Sequence, residues 1–289
     1  MNSSSKTAGV LYVVATPIGN LLDITRRALE ILQSVSLVAA EDTRHSRKLL
    51  AHYGIGTPLL ALHEHNERTA TTGLLRRLDA GADIALISDA GTPLISDPGF
   101  HLVRTAREAG LRVVPVPGPS ALTAALSVAG MPTDHFIFEG FLPAKQAARR
   151  QRLLELQDAT ATLVFYESSH RILASLGDML ALFGPDREAT LARELTKTFE
   201  TIRQASLAEL HAWVTADSDQ QKGEFVVLVH GAAKSAAAML DAATEQVLKV
   251  LMAELPLRQA ASLAAQISGI GKNVLYEHAL RLKDRSQSG

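Results

Sequence analysis

Residues 87–99 read ISDAGTPLISDPG and emerge from ADIALIS (82–88), a run with the character of a buried strand. Two aspartates, two glycines and two prolines crowd the exit of one strand. Glycine and proline fix an open, rigid main-chain path and present backbone N–H and C=O groups without side-chain bulk. Taken alone, this turn suits a metal, a phosphate or a nucleotide equally well.

Outward from that loop, the first 140 residues alternate β-branched runs with helical patterns. The expected strands are VLYVVA (10–15), SLVAAE (36–41), LLALHE (59–64), ADIALIS and LRVVPV (111–116). Between them lie helical segments at 24–33, 43–53, 68–81 and 100–110, and another follows at 120–130. Such alternation predicts a largely parallel sheet with helices on its faces. Ligands of these sheets sit at the carboxyl ends of the strands, where VATPIGN, HEHNE, ISDAGTP and VPGPS all fall.

From about residue 135 the rhythm changes to a second α/β unit. Its expected strands are HFIFEGFLP, TATLVFYE, EATLARELT, FETIRQ and GEFVVLVHG, and its helices are KQAARRQRLLELQ, SHRILASLGDMLALFG and SLAELHAWV. GAAKSAAA (231–238) reads as a small-residue linker. The tail beyond it is helical by periodicity, and Ala265, Gly269 and Leu275 have the spacing of a helix-turn-helix; a plain helical hairpin satisfies the same pattern. The expected division is 1–134, 135–231 and 232–289.

Composition narrows the function classes. The chain has 289 residues, 47% hydrophobic and 20% charged, with no long apolar run of the kind that spans a membrane. MNSSSKTAG at the start is polar and reads as a frayed terminus. The absence of cysteine rules out disulfides, thiolate zinc sites and cysteine nucleophiles, and fits a reducing cytoplasm. A net charge of −1 excludes a bulk polycation yet allows a local basic patch for RNA.

The common cofactor and nucleophile fingerprints are missing. No G-x-G-x-x-G follows a strand, GIGKN (269–273) lacks both the first glycine and the Ser/Thr of a P-loop, and no G-x-S-x-G is present. A metal set drawn from His63, Glu64, His65, Asp89 and Asp97 is disfavoured, because His-Glu-His on a strand sends neighbours to opposite faces. No metal is expected.

VVATPIGNLLDITRRALEILQSVSLVAAEDTRHSRKLL, ISDAGTPLISDPG, VPGPSALTAAL, FEGFLPAKQAARR, FYESSHR, RELTKTFE and GEFVVLV occur in the order found in the tetrapyrrole-methylase superfamily. The chain resembles that superfamily from residue 9 to about 231, and within it the branch that methylates small-subunit ribosomal RNA; the tail resembles that branch's helix-turn-helix appendage. The resemblance implies two α/β domains with S-adenosylmethionine folded into the cleft between them, a helical tail, and a homodimer. It implies transfer of a methyl group to the ribose 2′-oxygen of a decoding-centre cytidine. The superfamily's strand-four loop begins Gly-Asp-Pro, where this chain has Ser88-Asp89-Ala90. Its first loop is usually rich in Pro-Gly, where this chain has Thr16-Pro17-Ile18-Gly19-Asn20. Both departures are those of the ribosomal branch, and they favour RNA over a corrin or porphyrin.

By the same resemblance Asp89, Gly91 and Thr92 line the cofactor's methionine part, with Ser120 and Ala121 following, and Pro17 and Ala90 also belong to the cofactor site. Phe165 and Phe225 flank the adenine, core packing being the alternative for each. Methyl transfer to oxygen needs alignment above all, and a group to accept the hydroxyl proton. Glu139, Lys145, Glu167, His170, Arg193, Glu194 and Lys197 stand in motifs facing the expected cleft, and sequence selects no single base among them. In FLPAKQAARRQR (141–152), Lys145, Arg149 and Arg152 share a helix face with Arg150 beside them. That face is either a solvated surface or a contact to the phosphates of small-subunit ribosomal RNA. Two other readings remain: a tetrapyrrole C-methyltransferase, and a non-catalytic nucleic-acid-binding protein that senses the cofactor.

Overall fold

The computed structural model describes residues 7–233 and 242–287. Residues 1–6 of the expected frayed start (1–9) and most of the expected linker lie outside the described residues. Two compact units make up the chain, Met1–His230 and Gly231–Gly289.

The first unit opens with a five-stranded sheet whose strand order is β3-β2-β4-β1-β5, every pairing parallel. The strands are β1 (Val10–Val14), β2 (Leu37–Ala40), β3 (Leu59–Ala61), β4 (Ile84–Ile87) and β5 (Arg112–Val116). The helices are α1 (Arg26–Ser34), α2 (Thr43–His52), α3 (Glu67–Asp79), α4 (Phe100–Glu108) and α5 (Ala121–Val128). Their starts follow local chemistry. The Thr25 hydroxyl accepts from Ala28 N at 3.1 Å and opens α1, and the Asp42 carboxylate accepts from Arg44 N at 2.7 Å and opens α2. Strand β3 is shorter than its sequence promised. His63 N donates to Asn66 Oδ1 at 2.9 Å, and this turn takes over the main chain two residues past the strand.

Both faces of this sheet are covered, as parallel sheets require. One face packs Val14, Val38 and Ala85 against Ala28 and Leu32 of α1 and Leu50 of α2. The other packs Leu11, Ala39 and Leu86 against Leu74 of α3 and Leu102 of α4.

A second sheet follows in the same unit, in the order β6-β7-β10-β8-β9. Its strands are β6 (Phe136–Phe141), β7 (Thr162–Ser168), β8 (Glu188–Arg193), β9 (Thr201–Ser206) and β10 (Glu224–Val229). Only β6 and β7 pair parallel; the other three pairings are antiparallel. Helices α6 (Gln146–Leu156), α7 (Ile172–Phe183) and α8 (Leu207–Ala216) cover one face. Alternation along β7 and β10 divides the side chains cleanly. Leu163, Phe165, Val227 and Val229 join the core beneath α6–α8. Val164, Tyr166, Val226 and Leu228 pack on Ala125 of α5, on Ala129 just past its end, and on Ile18. That second cluster joins the two sheets into one body.

The second unit is a three-helix arrangement of α9 (Ala242–Glu254), α10 (Leu257–Ser268) and α11 (Lys272–Gln287). Leu248, Ala261, Ala264, Leu275 and Ala279 form its core. Gly269 ends α10 at φ 74°, a left-handed position suited to glycine, so the turn glycine and the Leu275 anchor stand where the helix-turn-helix spacing put them. Among the described residues, no helix is long and apolar enough to cross a membrane.

Candidate functional site

The loops leaving β1, β4 and β5 are stitched together by main chain. Thr16 and Gly91 exchange both backbone hydrogen bonds, at 2.8 and 3.0 Å. The Thr16 hydroxyl donates to Ser88 O at 3.2 Å, and the Thr92 hydroxyl donates to Pro119 O at 3.0 Å. The ISDAGTPLISDPG turn is bent by four positive φ angles: Gly91 at 84°, Leu94 at 74°, Ser96 at 69° and Gly99 at 120°. Two of these fall on non-glycine residues, which marks strain held by the surrounding structure. The Glu67 carboxylate anchors the far end of the turn, accepting from Gly99 N, His101 N and Leu102 N at 3.1, 2.8 and 3.3 Å.

A cavity of about 450 Å³ opens beside these loops, walled on its other side by the second sheet. Asp89, Ala90, Gly91, Thr92, Ser120 and Ala121 all line it, as does Phe225. The ISDAGTPLISDPG turn is thus one wall of a chamber of small-molecule size.

Tyr166 closes the chamber between the two halves. Its hydroxyl accepts from Leu122 N at 3.1 Å, near the start of α5. Its ring meets Phe138 and Phe141 edge-on, with centroids 4.9 and 5.7 Å apart. Burial pushes its hydroxyl pKa up, so it remains a neutral phenol at physiological pH.

The polar lining is anionic. Glu41, Asp89, Asp97, Glu167 and Glu224 contribute carboxylates, and among the described residues no Lys or Arg reaches the wall. Asp89 Oδ1 accepts from Asp42 N at 3.1 Å. Burial raises the Glu41 pKa, with the Asp89 charge adding to it. Burial likewise raises Asp97 to about 6; the Ser88 hydroxyl opposes the rise, while Glu41 and Asp89 add to it. The buried Glu167 is saturated: Ser175 Oγ donates to it at 2.5 Å, Ser168 N at 2.9 Å, and Arg171 Nε lies 3.3 Å away. A small cation is the partner such a lining favours.

Several sequence expectations need correction. Phe165 is fully buried in the core under α6–α8 and does not reach the chamber; its neighbour Tyr166 does, because successive strand residues face opposite ways. Pro17 is buried behind the wall, and Ile18 takes the lining position. Glu139 is clamped by Arg152, whose Nε and Nη2 both donate to it at 2.8 Å. Arg193 spends its guanidinium on Lys222 O and Phe199 O, at 2.7 and 3.1 Å. Lys145 and His170 are exposed and off the wall.

Lys197 Nζ bridges Glu194 and Glu224, at 2.8 and 2.9 Å. Burial disfavours charge on Glu194 and Lys197 alike, yet their contact outweighs it, holding Glu194 below and Lys197 above their ordinary values. Lys197 is therefore protonated at neutral pH and is no base. Of the proposed proton acceptors only Glu167 lines the chamber.

The expected phosphate-binding face on α6 is also overturned. Arg149 is buried against Asp178, Arg150 Nη1 lies 3.1 Å from the same carboxylate, and Arg152 is tied to Glu139 and Glu155. Three of the four cations are neutralised within the fold, and Lys145 alone stays free of a carboxylate among the described residues. Sequence reasoning missed Glu41 and Tyr166 altogether and weighed Asp97 only as a metal ligand. The doubled aspartate of the opening loop was the available signal for Asp97.

Known proteins share this arrangement. A family model described as Tetrapyrrole (Corrin/Porphyrin) Methylases matches residues 10–211, and one described as RsmI C-terminal HTH domain matches residues 238–283. The chain is 61% identical over 281 residues to "Ribosomal RNA small subunit methyltransferase I" of Pseudomonas aeruginosa, covering 97% of this chain and 100% of that one. It is 56% identical over 278 residues to the protein of the same name from Escherichia coli O157:H7, covering 96% and 97%. Among solved structures, uroporphyrin-III-C-methyltransferase from Thermus thermophilus complexed with S-adenyl homocysteine has a TM-score of 0.53 at 19% identity, covering 76% of this chain and 97% of that one. The methyltransferase CobJ has a TM-score of 0.58 at 20% identity, covering 78% and 95%. At such identities these structures speak for the fold alone. With the family model covering residues 10–211 and relatives matching nearly end to end, the chain belongs to the tetrapyrrole methylase family.

Proposed function

We propose that the chain transfers a methyl group from S-adenosylmethionine to small-subunit ribosomal RNA, the acceptor being the ribose 2′-oxygen of a decoding-centre cytidine. The observation that carries this reading is the chamber itself. It is of cofactor size, walled by the loops at the carboxyl edge of the parallel sheet and by the second sheet, and among the described residues its lining holds carboxylates but no Lys or Arg. The relatives named ribosomal RNA small subunit methyltransferase I supply the substrate class.

The residues present fit the cofactor. Its sulfonium and ammonium are cationic, and Asp89, Asp97 and Glu41 offer opposite charge. Ala192, Leu195, Phe225 and Val226 offer an apolar surface for the adenine. The N-terminus of α5 at Ser120 and Ala121 presents backbone N–H groups suited to a carboxylate. When bound, the cofactor supplies an electrophilic methyl group. The protein's own contribution is to fix these walls, through the Thr16–Gly91 and Tyr166–Leu122 contacts, so that little reorganisation is needed. The proposal includes a cytoplasmic protein that works as a homodimer, which light scattering tests.

Calorimetric titration with S-adenosylmethionine tests the cofactor assignment, with one site per chain expected and its loss expected in Asp89→Ala. Alkaline hydrolysis of the product RNA tests the acceptor atom. A methylated 2′-oxygen cannot attack the neighbouring phosphodiester, so the modified linkage should survive as an alkali-resistant dinucleotide. Label recovered in single nucleotides would place the methyl group on a base.

A further inference from the structure

We propose that the exposed basic face formed by the first turns of α1 and α2 holds the RNA backbone at the mouth of the chamber. This rests on the reading of the substrate as RNA. A polyanion cannot be drawn in by a wall that carries Glu41, Asp89 and Asp97 and, among the described residues, no Lys or Arg; the other two lining carboxylates are already paired, Glu167 with Arg171 at 3.3 Å and Glu224 with Lys197 at 2.9 Å. Phosphate contacts must therefore be made outside the chamber, beside it, by cations not already neutralised. Helix α6 is unfit, because Arg149, Arg150 and Arg152 are all paired with carboxylates of the fold.

Helix α2 meets both conditions. It begins directly after Glu41, a lining residue, and its cap Asp42 donates its backbone N–H to Asp89 of the wall at 3.1 Å. Its first two turns therefore lie at the carboxyl edge of the sheet, beside the chamber. Arg44, Arg47 and Lys48 are spaced three and four apart and share one helix face. All three are exposed. Arg47 and Lys48 meet no carboxylate among the described residues, and Arg44 is 90% exposed with Asp42 as a loose partner at 3.5 Å. Helix α1 packs on the same face of the sheet and adds Arg27, exposed in its first turn and without a carboxylate partner among the described residues. The macrodipole of each helix adds positive potential at this same end.

Other free cations stand elsewhere. Arg76 and Arg77 are exposed in the last turn of α3, hence at the opposite edge of the sheet. They make an internal control with the same change of net charge.

The test measures affinity for small ribosomal subunits across a salt series, for the full chain and its double variants. For Arg47→Ala with Lys48→Ala, the slope of log affinity against log salt should flatten by roughly 1 to 2 units, about 0.7–0.9 for each phosphate that is no longer neutralised. S-adenosylmethionine affinity should match the parent's, which reports an intact chamber. Arg47→Lys with Lys48→Arg should restore the parent slope, since charge and not shape is required. Arg76→Ala with Arg77→Ala should leave the slope unchanged. An unchanged slope in the α2 variant, with a parent that binds and methylates subunits, overturns the surface and leaves the function standing. Equal flattening by the α3 variant also overturns it, by showing a response to net charge alone. A parent with no affinity for the subunits overturns both readings.

Discussion

Nε and Nη2 of Arg149 both lie 2.8 Å from Oδ2 of Asp178, in a pair of which neither side chain is more than 5% exposed. Gln146 and Arg150 take the other carboxylate oxygen at 3.3 and 3.1 Å. The pair ties α6 to α7. Removing one member leaves the other charged and buried, at about 3–5 kcal/mol. Asp178→Ala should therefore lower the denaturation midpoint sharply in chemical unfolding. A midpoint within error of the parent's would show that the arginine escapes to solvent and the pair is not structural.

Tyr166 and Leu122 join the second sheet to α5 through one hydrogen bond. Leu122 N belongs to the first turn of α5, where no intrahelical acceptor exists. Tyr166→Phe should cost about 1 kcal/mol of stability and lower cofactor affinity, because one chamber wall loses its tie. Calorimetry and chemical unfolding report both. Lower affinity with unaltered stability would instead make the hydroxyl a direct ligand.

Gly91 has φ 84°, and a Cβ built there would meet Ile18 Cγ2 only at 3.4 Å. Space is available; conformation is the obstacle. Gly91→Ala should cost about 1–2 kcal/mol through left-handed strain and weaken cofactor binding as the Thr16 bridge distorts. Full stability with full affinity would mean that the turn adapts without cost.

Asp97, raised from 3.8 to about 6, carries a pH signature. Its folded pKa exceeds its unfolded one, so its contribution favours the fold at low pH and is lost as pH rises through about 6. Asp97→Asn should stabilise the protein at pH 7.5 by about 1–2 kcal/mol, a figure reduced for the partial exposure of the group. The gain should vanish near pH 4. Thermal melts at both pH values check it, and an equal gain at both would assign the effect to packing. Binding of a cation by ionised Asp97 should also weaken as pH falls through 6.

Much of the architecture was legible because the sheet edges are written locally. Buried parallel strands such as VLYVV and IALI are continuous apolar runs, and caps such as Thr25 and Asp42 stand where the helices begin. The loop that walls one side of the chamber was legible for the same reason, through Gly91 and its neighbours. What failed depended on parity and on distant partners. Phe165 and Tyr166 are adjacent aromatics, and only the register of β7 against β10 decides which one faces the chamber. The α6 arginines look free in sequence because Asp178 lies 29 residues beyond Arg149 and Glu139 lies 13 residues before Arg152. Conversely, α2's cations draw no attention in sequence; they stand out once those of α6 are seen to be neutralised by carboxylates of the fold.

The most direct measurement of the central claim is transfer of label from methyl-labelled S-adenosylmethionine, offered in parallel to small ribosomal subunits lacking the modification and to a porphyrin precursor. Label should enter the subunit RNA, remain in an alkali-resistant dinucleotide, and disappear when Asp89→Ala replaces the parent. Label in the porphyrin, or binding of the cofactor with no transfer to either acceptor, would contradict the account.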